Sequence, residues 1–161
     1  VRVGESLSFP WVEHNIRCDP EAASVVLSAG WPVTMVGLDV TLQVTVQREQ
    51  LRLLNATESP LNRAVVDQLE RYMGYRGRNF TYLHDPLAVG VAIDESLVQL
   101  VPMHVDVETR GEYTSGATVA CLPLEGDPRC QANARVAVAV DAERFRRFFF
   151  ERLAGRAIPE A

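Results

Sequence analysis

The sequence predicts an α/β fold: a mixed, largely parallel sheet flanked by helices, with a β-hairpin late in the chain. Helix-like and strand-like segments alternate through the first hundred residues, which is the order of an α/β domain. Two strand-like runs, VQLVPMHVDVE and TSGATVACLPL, then flank the turn-forming TRGEY, which reads as a hairpin. Apolar residues make up 47% of 161, enough for one buried core.

Each element has its own signal. Residues 1–18 read as extended, ending in WVEHNIRC. Asp19 caps a helix that Pro20 opens and Gly30 stops. PVTMVGLDVT reads as a strand buried on both faces through Val33, Met35, Val36, Leu38 and Val40. A helix is expected from Thr45 to Leu54. ATESP breaks it, and Ser59 and Pro60 start another that reaches Met73. GYRGRNF is a loop. HDPLAVGVAI follows as a helix capped by Asp85 and, having no polar face, buried on most sides. After the hairpin and the turn EGDPRC come a strand in ARVAVAVD and a closing helix in AERFRRFFFERLAG. No repeat or linker interrupts the chain, so residues 1–161 read as one unit.

Several function classes are disfavoured. A net charge of −5 argues against a nucleic-acid groove. No apolar run reaches the roughly 18 residues a membrane helix needs. Cys18, Cys121 and Cys130 lack C-x-x-C spacing, so free thiols in a reducing cytoplasm are expected. The chain opens on Val1 without a start residue, as a piece of a longer protein would.

Candidate chemistry gathers at a few polar residues. Asp85 stands at the positive end of an apolar helix, which holds a carboxylate ionised, and His84 beside it adds a proton donor. The plain alternative is a capping Asp-Pro pair like Asp19-Pro20. Glu13 and Asn15, two apart in an extended segment, point the same way and suit vicinal hydroxyls. A loop satisfying its own backbone is the simpler account of that pair. Asp39, at the end of its strand, either faces a ligand crevice or caps the next loop.

These segments together resemble the inosine–uridine nucleoside hydrolases. VEHNIRCDPEAASVVLSAGWPVTMVGLDVT is similar to that family's E-F-N-x-x-x-D-P-E-A-A segment and the strand after it. YLHDPLAVGVAID resembles its H-D-P-L-A segment, and VDVETRGEYTSGATV and ANARVAVAVDAERFRRFFFERL resemble its C-terminal hairpin and helix. The resemblance implies calcium-assisted hydrolysis of the N-glycosidic bond of ribonucleosides, giving base and ribose. It further implies a role in nucleoside salvage. By position, Asp85 would be a calcium ligand and His84 would assist departure of the base. Glu13 and Asn15 would hold ribose hydroxyls, and Gln68 and Tyr72, at i and i+4, would reach the base.

The family's D-x-D-x-x-x-D-D cluster, source of most calcium ligands and of the base that activates water, is missing from this chain. His14 also stands where the family typically has Phe. One carboxylate cannot satisfy calcium, which takes about six to eight oxygens. The chain is therefore expected to be the C-terminal half of a hydrolase, inactive alone, pairing with the missing N-terminal half or as a homo-oligomer. The alternative is a binding or assembly module that has lost catalysis.

Overall fold

The computed structural model describes residues 12–56, 59–127 and 130–155. They fall into two compact units: residues up to Gly37 with Leu100–Ala137, and Leu38–Gln99 with the residues from Val138 onward.

The first unit holds α1 (His14–Cys18), α2 (Pro20–Ser28), β1 (Val33–Met35), most of β4 (Val98–Val107), β5 (Thr118–Cys121) and most of β6 (Ala134–Val140). Their sheet runs in the order β1-β6-β4-β5. β1 pairs parallel with β6, Val33 opposite Ala134, and β4 pairs antiparallel with β5, His104 opposite Cys121. The sheet is thus mixed and ends in the expected hairpin. Asp19 Oδ1 accepts the Ala22 N–H at 2.9 Å, so this aspartate caps α2 as the sequence predicts. Leu27, Val105 and Ala134 form the core, with Val33, Met35 and Val136 packed against it. Asn133 ties three segments: its amide donates to Leu27 O and Val105 O, and its Oδ1 accepts from Val105 N at 2.8 Å.

The second unit holds α3 (Leu38–Thr41), β2 (Thr45–Gln47), α4 (Arg52–Asn55), α5 (Pro60–Tyr75), β3 (Phe80–Tyr82), α6 (His84–Ile93) and α7 (Ala142–Ala154). β2 and β3 pair antiparallel, Thr45 opposite Tyr82. Helices as short as α3 and α4 do not persist on backbone propensity. Burial holds them: Val40, Leu54, Leu87 and Phe145 are almost fully buried, each such side chain contributing roughly 1.5–3 kcal/mol. Gly90 lets α6 approach α7, since a Cβ there would come within 2.6 Å of Phe145 Cε2.

Several expectations are corrected. Residues 14–18 are helical rather than extended, because the Glu13 carboxylate caps them. The strand of PVTMVGLDVT stops at Met35, and Leu38–Thr41 turn into α3, so Asp39 sits in a helix rather than at a strand end. The helix expected from Thr45 opens instead as β2 and a 3-10 turn, Arg48–Leu51, since Thr45–Gln47 find a partner in Phe80–Tyr82. α6 buries Leu87, Gly90 and Val91 on one side only, and Val89 and Ile93 are 60% and 59% exposed. The N-terminal part of the extended reading, residues 1–11, lies outside the described residues.

Candidate active site

The head of α6 is built by β3. Leu83 follows the strand with its N–H bonded to Val44 O at 3.0 Å, and its own carbonyl accepts the first helical bond, from Leu87 N. Leu83 is therefore the N-cap and Asp85 is the second helical residue, not the cap. Proline at the third position costs no hydrogen bond, since first-turn N–H groups have no helical acceptor. The Asp85 carboxylate is exposed in the positive first turn and has no hydrogen-bond or ion-pair partner among the described residues.

His84 is half-buried and fixed from two sides. Thr41 Oγ1 lies 2.7 Å from His84 Nδ1. The Tyr82 ring stands 5.4 Å from the imidazole, centroid to centroid, at a tilt of 34°. On α5, Gln68 and Tyr72 are both exposed, one turn apart on a shared face.

In the first unit, both capping bonds, from Asn15 N at 2.9 Å and Ile16 N at 3.4 Å, reach Glu13 Oε2. Glu13 and Asn15 are thus joined through the backbone of α1 rather than aligned along a strand. Asn15 and Asp19 supply polar atoms to an otherwise apolar cleft of about 320 Å³, walled by Ile16, Val26, Leu27 and Met35. Glu13 and Asn15 belong to the first unit. Gln68, Tyr72, His84 and Asp85 belong to the second.

The sequence pattern of the inosine-uridine preferring nucleoside hydrolases matches residues 2–147. This chain belongs to that family. A pyrimidine-specific ribonucleoside hydrolase of Shewanella woodyi is 38% identical over 141 residues, 84% of this chain and 45% of that protein. Among solved structures, the purine-preferring ribonucleoside hydrolase of Gardnerella vaginalis superposes with a TM-score of 0.78 at 35% identity, covering 90% of this chain and 46% of that one. An inosine-guanosine nucleoside hydrolase gives 0.75 at 28%, covering 92% and 47%. The chain spans about half the length of the curated relatives it matches.

Among the described residues, no three His, Cys, Asp or Glu side chains converge as a metal site. The single exposed Asp85 carboxylate falls well short of the roughly six to eight oxygens that a calcium ion takes. Nor is any helix of the described residues long and apolar enough to cross a membrane. Thr41 and Tyr82 went unnoticed in the sequence. Thr41 lies 43 residues from His84 along the chain, and nothing in LDVT announces an imidazole partner.

Proposed function

We propose that this chain carries the ribose-binding and leaving-group side of a ribonucleoside hydrolase. In that reaction water adds at the anomeric carbon, the N-glycosidic bond breaks, and a proton passes to the departing base. The head of α6 carries the reading. It pairs an uncommitted carboxylate, Asp85, with an imidazole held by hydrogen bonding, His84, in a chain of the nucleoside hydrolase family.

His84 serves as the proton donor to the base, general-acid help on the order of 10²–10⁴-fold. Glu13 and Asn15 hold ribose hydroxyls, favouring the oxocarbenium-like state as positive charge develops on the sugar. The cap engages only Oε2 of Glu13, so Oε1 can accept from a hydroxyl. Gln68 and Tyr72 contact the base from α5. Asp85 would supply one oxygen to a calcium ion, one of the roughly six to eight such an ion takes. Such an ion would help to orient ribose oxygens and to acidify the attacking water.

The same reading gives the exposed apolar side chains a partner. Val25 and Trp31 in the first unit, and Val89 and Ile93 in the second, are each about three-fifths or more exposed. The complementary half of the hydrolase domain, together with a second copy in a cytoplasmic homo-oligomer, covers them.

Ribose release from inosine and from uridine by the whole protein, with calcium present, tests the reading. Turnover lost in His84→Ala and in Asp85→Ala is expected, and the preferred nucleoside reports the base. Nucleoside binding without turnover by the unsubstituted protein would overturn it in favour of a binding module.

A further inference from the structure

We propose that Cys121 and Cys130 are an oxidation site: a dithiol that a small-molecule disulfide of the glutathione type converts, reversibly, into an intramolecular disulfide. The proposal is independent of the hydrolase reading. Both thiols are free, and the Cys121 S–H donates to Cys130 Sγ with the sulfurs 2.8 Å apart. Roughly 0.8 Å remains to be closed before a disulfide bond length is reached.

The fold holds the pair together through β4. Cys121 lies on β5, opposite His104 of β4. Cys130 lies where the chain returns towards β6, the other neighbour of β4. The His104 ring links the two sides, since its Nδ1 stands 2.8 Å from the carbonyl of Gln131, the residue after Cys130. Asn133 fixes the same return: its N–H donates to Met103 O at 3.1 Å, and its Oδ1 accepts the Val105 N–H at 2.8 Å. With both cysteines anchored to one strand, closing the bond orders little that is not already ordered. The bond would tie down an exposed crossover, the one that carries Leu122 and Leu124.

The step is thiol–disulfide exchange. One protein sulfur, as thiolate, attacks the small disulfide, breaks its S–S bond and releases the first small thiol. The second protein sulfur, as thiolate, attacks the resulting mixed disulfide and releases the other. The Cys121–Cys130 bond forms, two protein thiols are oxidised, one small disulfide is reduced, and both protons leave on the released thiols. The Cys130 contact, with burial, holds the Cys121 thiol protonated, so exchange at neutral pH is slow and is read at equilibrium.

The test equilibrates the whole protein, with Cys18→Ser alongside, in glutathione buffers from reducing to oxidising. Samples are quenched with acid, alkylated and mapped by peptide mass. One species is expected in the oxidising buffers, with Cys121 and Cys130 joined and two hydrogens lost, and dithiothreitol should restore the dithiol. Its melting temperature should stand roughly 3–10 °C above that of the reduced protein, because the ring of residues 121–130 restricts the unfolded chain. Cys121→Ser and Cys130→Ser should each abolish that shift.

Cys121 and Cys130 both alkylated throughout the oxidising series would overturn the proposal. So would oxidation that stops at a glutathione adduct on either one. Both results come from the unsubstituted protein and need no variant to fold. A link that forms only when Cys18 is present would mark exchange through Cys18 and would sink the proposal as well.

Discussion

Asp19 and Asp85 each precede a proline, and only Asp19 caps its helix. Asp19 Oδ1 receives the Ala22 N–H at 2.9 Å, while Asp85 lies inside α6 behind the cap residue Leu83. Asp19→Ala should therefore lower folding stability by about 0.5–2 kcal/mol, the range for a lost N-cap. Asp85→Ala should stay within roughly 0.5 kcal/mol, as a surface substitution does, yet abolish ribose release by the whole protein. Denaturant midpoints of the two variants, set beside the activity of Asp85→Ala, check the contrast.

Gly90 separates α6 from a buried ring. A methyl group there meets Phe145 Cε2 at 2.6 Å and Cδ2 at 3.2 Å, and Phe145 is itself almost fully buried, so the ring has little room to give way. Gly90→Ala should cost about 1–3 kcal/mol from overpacking, despite the better helix propensity of alanine. A thermal melt that is unchanged or raised would contradict the packing.

His104 should titrate above the ordinary histidine value. The Gln131 carbonyl on Nδ1 raises it first and the Asp106 carboxylate on Nε2 second, with a small opposing effect of burial. A raised folded-state pKa means the stabilisation is fully present below the ordinary value near 6.5 and is lost as pH rises through the folded one. Asp106→Asn should lower the midpoint but leave it above the ordinary value, because the Gln131 carbonyl remains. An NMR titration of the His104 ring reports both, and a midpoint at or below the ordinary value in the unsubstituted protein would refute the assignment.

The carboxylates of the second unit and the hairpin should respond in the opposite sense. Ser96 hydrogen bonds, with a smaller contribution from Arg144, hold Asp94 below its usual value, and the Arg110 and Gly111 N–H groups do the same for Glu108. Their stabilisation is present above the ordinary carboxylate range and disappears as pH falls through the lowered values. Asp94→Asn should thus bring the acid unfolding midpoint closer to the ordinary carboxylate value, by an amount small enough for exposed groups.

The three thiols should react in a set order. Cys18 is exposed, whereas Cys121 donates to Cys130 Sγ at 2.8 Å, and that hydrogen bond with burial pushes the Cys121 thiol up to about 11. Thiolate is the reactive form. Alkylation at neutral pH, followed by peptide mass mapping, should therefore label Cys18 well before Cys121, and Cys130→Ser should change the rate at Cys121.

Much of the fold was legible because its signals are local. Asp19-Pro20, Ser59-Pro60 and the residues of α7 each specify an element within a dozen residues, and Gly30 takes the positive φ that suits a stop beyond α2. The hairpin of β4 and β5 was legible for the same reason. β2 and β3 were not: three-residue strands carry almost no pattern, and Thr45–Gln47 become a strand only because Phe80–Tyr82 pair with them. α1 escaped notice because its cap is a glutamate, a residue seldom used in that position.

By itself the sequence determined the family and several of the longer segments, and it singled out the residues of the proposed chemistry: Glu13, Asn15, Gln68, Tyr72, His84 and Asp85. Chemistry of that kind is written in residue identity and spacing, which folding does not alter. Only tertiary structure decided which groups remain available. It assigned the Glu13 cap to α1, left the Asp85 carboxylate outside the cap of α6, and brought Thr41 to His84. Those outcomes depend on where β3 ends and α3 turns. Both are settled by burial and pairing between segments distant in sequence, and no local pattern encodes them.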